Sequence, residues 1–161
     1  MNGCDAIVKV GLVTYNSCGG ETVLVDLTGS FDYLSESIAD YINNPAQGGS
    51  TAIGPAINEA YNLLTGSESA TDGPNLIIIT NDGTIGDYTV GTYTGNPCAG
   101  YDLANDIVAD IENGDFLTGV SASFTAIGIG VTQGTTNYDQ LEDIASTAGD
   151  LFIDAMSSNR S

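Results

Sequence analysis

Apolar positions alternate with polar punctuation along this chain in blocks of about ten residues, and the spacing inside each block changes. Residues 6–15, Ala-Ile-Val-Lys-Val-Gly-Leu-Val-Thr-Tyr, are nearly continuous apolar and β-branched, the pattern of a strand covered on both faces. A polar turn with glycine, Asn16-Ser17-Cys18-Gly19-Gly20, leads into a second strand at Thr22–Leu27, so the pair predicts a β-hairpin. The period then switches. Phe31, Leu34, Ile38, Tyr41 and Ile42 fall on one helical stripe behind Ser30, a natural cap, and Asn43-Asn44-Pro45 stops that helix. A second helix has Ile53, Ala56, Ile57, Ala60, Tyr61 and Leu64 in phase, with Pro55 near its start, where a missing N–H costs little.

The second half repeats the alternation. Asn75–Thr80 predicts a buried strand that ends abruptly at Asn81-Asp82-Gly83. Residues 84–100 form a long loop rich in Gly, Thr and Tyr, and Leu103, Ile107 and Ile111 mark a third helix. Ser123–Val131 predicts another strand. Asn137 with Gln140 fits a capping box for a helix carrying Leu141, Ile144, Ala145 and Ala148, with Gly149 as its stop. Leu151-Phe152-Ile153 is a short last strand. Strands alternating with helices predict an α/β fold in three layers: a mainly parallel sheet, helices on both faces, and one antiparallel edge strand from the early hairpin. No internal repeat or linker divides residues 1–161, which form one domain.

Charge narrows the function. Twenty-one acidic residues stand against Lys9 and Arg160, a net charge of −19. Two basic side chains cannot displace phosphate counterions, so nucleic acid is excluded as a partner, and so is an anionic membrane surface. No apolar run approaches the roughly 20 residues that span a bilayer, and the first residues show no leader pattern. The acidity fits either a surface that gathers divalent cations or a solvated acidic surface. With no histidine in the chain, the commonest general base and zinc ligand are both missing. There is no G-x-x-x-x-G-K-[ST] and no G-x-S-x-G, and Gly128-x-Gly130 is followed by Gln133 where a dinucleotide fingerprint needs glycine. Nothing in the spacing singles out a catalytic carboxylate pair, and the expectation is a protein without enzymatic activity.

Several local strings, in this order and at these spacings, carry a resemblance. They are Val10-Gly11-Leu12-Val13-Thr14-Tyr15, then Gly48-Gly49-Ser50-Thr51-Ala52-Ile53-Gly54-Pro55, then Leu76-Ile77-Ile78-Ile79-Thr80-Asn81-Asp82-Gly83, then Ala126-Ile127-Gly128-Ile129-Gly130-Val131, and finally Leu141-Glu142-Asp143-Ile144-Ala145-Ser146. Over nearly its whole length the chain resembles a von Willebrand factor A-type domain. The resemblance implies a protein-binding or adhesion module whose partner is another protein. It also implies a metal-ion-dependent adhesion site for Mg²⁺ or Ca²⁺ at the top of the sheet. Thr51 matches the family's threonine ligand and Asp82 its aspartate ligand, with Ser50 beside them, and Asn81 stands where threonine is usual. Hard oxygen donors suit those ions.

The departure from the family pattern is also clear. The D-x-S-x-S loop that supplies the other ligands occurs nowhere in the 161 residues. The resemblance aligns the start of the chain with the end of the family's first helix, so the domain is expected to be N-terminally incomplete, without the first strand. In the family that strand lies between the strands placed here at 6–15 and 75–80. Either those two strands keep unpaired edges, or they pair with each other, or another chain fills the space. The last option supports an alternative function: a structural subunit of a surface assembly, filament or virion, its sheet completed by a neighbouring subunit.

Three cysteines, Cys4, Cys18 and Cys98, form no C-x-x-C pair. In the family's topology the turn holding Cys18 and the loop holding Cys98 both lie at the top of the sheet. A Cys18–Cys98 disulfide would place the protein in an oxidising compartment, extracellular or on a cell surface; the alternative is three reduced thiols. Tyr88, Tyr93 and Tyr101, in or beside the long loop, either contact a partner or pack the loop locally.

Overall fold

A computed structural model describes residues 8–43, 51–66, 75–80 and 83–154. The first hairpin is as expected: β1 (Val10–Thr14) pairs antiparallel with β2 (Thr22–Thr28), with register shifts on either side of Leu12. Helix α1 (Phe31–Asn43) follows, its Tyr33 amide donating to the Ser30 hydroxyl at 3.3 Å. Helix α2 (Gly54–Thr65) carries Pro55 in its first turn. Then come β3 (Asn75–Thr80), α3 (Ala104–Asn113), β4 (Ser123–Ile129), α4 (Thr136–Ile144), a 3-10 turn at Ala148–Asp150 and β5 (Leu151–Asp154).

The strands form two sheets, β1-β2 and a parallel β3-β4-β5. The parallel ladder is regular, with Leu76 opposite Phe124 and Ala126 opposite Leu151. Among the described residues no strand pair joins the two sheets; helix α2 packs against both. Among the described residues β1 and β3 therefore do not pair with each other.

The core lies on one face of the parallel sheet. Leu76, Phe124 and Ala126 meet Ile53 just ahead of α2, Ile57 of α2, Ile107 and Ile111 of α3, and Leu141 and Ile144 of α4. Gly128 lets α4 approach, because a Cβ there would sit 2.8 Å from Leu141 Cδ1 and 2.9 Å from Ile153 Cδ1. On the opposite face Ile77, Ile129 and Phe152 are exposed. Buried Tyr61 of α2 anchors the crossover after α3. Its hydroxyl donates to Phe116 O or Val120 O at 3.0 and 2.9 Å and receives the Val120 amide at 3.2 Å, while its ring meets Phe116 edge-on.

Two local expectations are corrected. The N-cap of α4 is Thr135, whose hydroxyl accepts from the Tyr138 amide, and Asn137 and Gln140 lie buried inside the helix. The N-x-x-Q spacing fits a capping box, but the Gln140 side chain is taken by distant backbone. The helix stops at Ile144, five residues before Gly149, because the Ala145 backbone turns extended (ψ 122°) and the Ser146 amide leaves the helix for Phe124 O on β4.

Candidate functional site

The candidate site is built around Thr51, just ahead of α2, and the loop from Gly83 onward. Thr51 is half-buried and makes an isolated parallel bridge to Ile85, its carbonyl accepting the Gly86 amide at 2.5 Å. Ser50, Asn81 and Asp82 lie outside the described residues. Thr51 is thus the one predicted ligand whose position the structure describes, and among the described residues no three acidic or sulfur side chains cluster to hold an ion.

A threonine just ahead of a helix can also serve as its N-cap, but at α2 that role is filled by another residue. The cap position is Ile53, and Asp87 reaches across from the loop. Asp87 is 1 % exposed, and its two carboxylate oxygens accept the Ile53 amide at 2.9 Å and the Gly54 amide at 2.7 Å. A carboxyl group that accepts two free amides at a helix N-terminus is the arrangement that both charge-assisted hydrogen bonding and the helix dipole favour. Both oxygens of Asp87 are thereby occupied, and the Thr51 hydroxyl is left out of the cap. The carbonyl of Asp87 also accepts the Ala104 amide at 2.9 Å, so this residue ties the starts of α2 and α3 together.

The rest of the loop is equally well braced. Gln140, fully buried, accepts the Ile85 amide at 2.8 Å and donates to Ile85 O at 2.9 Å and Tyr88 O at 3.0 Å. These three bonds satisfy backbone groups that burial would otherwise strand. Gly95 passes so close beneath that a Cβ would lie 2.7 Å from the Tyr88 backbone. Tyr88 is buried, and its hydroxyl donates to Asp143 Oδ2 at 2.9 Å. Burial first, then the neighbouring Asp143 and Glu112 carboxylates, hold its phenol well above the ordinary value of 10.0. Of the three loop tyrosines, Tyr88 packs into the core and Tyr101 packs against it.

Cys18, exposed in the β1–β2 turn, and Cys98, buried in the loop, are joined by a disulfide with Cα atoms 5.4 Å apart. It links the two-stranded sheet to the loop that frames Thr51. Sequence reasoning missed Asp87 and gave Gln140 a capping role in place of its bracing one. Asp87 lies 34 positions from Ile53, and Gln140 lies 55 from Ile85, so no local spacing could reveal either.

The sequence matches the family description of the von Willebrand factor type A domain over residues 1–160. No curated protein matches it.

Proposed function

The chain belongs to the von Willebrand factor type A domain family, whose members are commonly protein-interaction or adhesion modules and generally non-catalytic, and on that premise we propose that it binds a protein partner through the crest around Thr51. The observation that carries this reading is the division of labour at α2. Asp87 holds the helix amides, leaving the Thr51 hydroxyl at a braced, half-buried position beside the loop that follows β3. Crevices beyond the carboxyl ends of parallel strands are where open α/β sheets take ligands. Thr51, Ser50 and Asp82 would hold Mg²⁺ or Ca²⁺, with water and a partner's oxygen completing the six or more ligands such ions take. The Cys18–Cys98 disulfide supports an extracellular or cell-surface location.

Calorimetric titration of the metal-free chain with Mg²⁺ and with Ca²⁺, beside Thr51→Ala and Asp82→Ala, tests the ion. Saturable binding that both substitutions abolish is expected. Diffuse binding that neither changes means that the acidity is only a solvated surface.

A second reading is favoured by the split between the sheets. The chain would serve as a structural subunit, with a neighbouring chain's strand between β1 and β3. Sedimentation velocity across a concentration series separates the two, because the subunit self-assembles and the module stays monomeric without its partner.

A further inference from the structure

We propose that the Cys18–Cys98 disulfide is a redox latch that holds the unit formed by β1, β2 and α1 against the rest of the domain. Among buried apolar residues, Val25 is the sole contribution of residues 8–43, and α1 buries none of its side chains. Its apolar stripe is largely open, with Phe31, Ile38 and Ile42 exposed. The unit shares no described strand pairing with β3-β4-β5. Its principal contacts with the remainder are the packing of β1 and β2 on α2, Tyr15 against the core, and this one covalent link. The far end of the link is firmly seated. Cys98 is buried in a loop held by Asp87 and Gln140, and its carbonyl accepts the Tyr101 amide at 3.0 Å.

The latch is asymmetric, and this gives it an opening route. Cys18 is exposed in its turn while Cys98 is buried, so a dithiol reductant meets the bond from the Cys18 side. One thiolate of the dithiol attacks Cys18 Sγ, and Cys98 leaves as a thiolate and takes a proton. The second thiolate then attacks its own sulfur in the mixed disulfide and releases Cys18. The dithiol becomes a disulfide, and the two electrons and two protons end on Cys18 and Cys98. The unit then keeps its non-covalent packing on α2 and that of Tyr15 on the core, with Val25 its one buried apolar residue. Regions with few buried apolar contacts open at low free-energy cost, so β1, β2 and α1 detach while the core of α2, α3, α4 and β3-β4-β5 persists.

Hydrogen–deuterium exchange, resolved by peptide, tests this on the Cys4→Ser chain, in which the third thiol cannot reshuffle the bond. The chain is compared oxidised, reduced with dithiothreitol, and reoxidised. Reduction is expected to speed exchange across 10–14, 22–28 and 31–43 by about tenfold or more, leaving 104–113 and 123–129 nearly unchanged, with protection restored on reoxidation. The double variant Cys18→Ser, Cys98→Ser should match the reduced state. Unchanged exchange in the first three segments overturns the latch. So does a parallel rise in all five, which would make the disulfide a staple of the whole domain.

Discussion

Replacing Asp87 by alanine should destabilise the domain more than any other single truncation in the loop. The carboxylate is 1 % exposed and accepts two backbone amides, from Ile53 at 2.9 Å and Gly54 at 2.7 Å, and both of those residues are themselves buried. A hydrogen bond to a charged group contributes about 1.5–3 kcal/mol, so losing both costs about 3–6 kcal/mol. Relief from holding a buried charge offsets part of this, which places the expected loss near the lower end, about 3 kcal/mol. Domains of this kind are stable by only about 5–15 kcal/mol in all, so the change is large. Asp87→Asn separates charge from shape: it keeps one acceptor but turns an NH₂ group toward the second amide, and about half the loss or more should remain. Urea unfolding followed by circular dichroism reads both variants, with the midpoint falling and the slope unchanged. If Asp87→Ala unfolds within about 1 kcal/mol of the parent, the bonds seen at the start of α2 do not carry the weight assigned to them.

Gln140→Leu keeps the bulk of the side chain but strands the Ile85 amide and the carbonyls of Ile85 and Tyr88 in the interior; a loss of about 3 kcal/mol is expected in the same unfolding assay, and a neutral result would contradict the bracing role. The raised Tyr88 phenol means that the folded state keeps a proton which the unfolded chain begins to release near pH 10. Its contribution to stability is therefore complete below pH 10 and is lost as pH rises beyond that. Tyr88→Phe should be less stable than the parent by about 1 kcal/mol at neutral pH, for the lost bond to Asp143, and should close that gap as pH climbs above about 10. Parallel stability curves for the two proteins up to pH 11 would refute the linkage.

Most of the element order was legible because most elements bury one side of themselves, α1 being the exception. The 3.6-residue stripe of α2 records that one-sided burial directly in the chain, whereas the continuous apolar run of β3 marks the strand but not its open face, where Ile77 is exposed. Local signals with local partners were legible too: Ser30 three residues before Tyr33, and Pro55 in a first turn. What failed has a common cause. Asn137 and Gln140 satisfy the spacing of a cap, but a buried amide goes where the most stranded backbone groups are, and those belong to residues 85 and 88. Asp87 looked like one acid among twenty-one, and only its burial against an unfinished helix start sets it apart. Whether two ladders join into one sheet depends on what stands between them, which strand-by-strand periodicity does not encode. The ion ligands were legible only through resemblance, since Thr51 and Asp82 have no distinguishing pattern of their own.

The disulfide also decides how the domain would respond to being pulled. Its cysteines are 80 residues apart, so while the bond is closed everything between them is shielded from a load applied at the two ends. Strand β2, α1, α2, β3 and most of the long loop can lose their folded shape and still lend the chain no length, whereas β1, ahead of Cys18, stays in the line of load. Opening the bond would release about 260–290 Å of slack in one step, at about 3.3–3.6 Å for each extended residue. A module that joins surfaces under tension would thus be a short, stiff tether when oxidised and a long, compliant one when reduced.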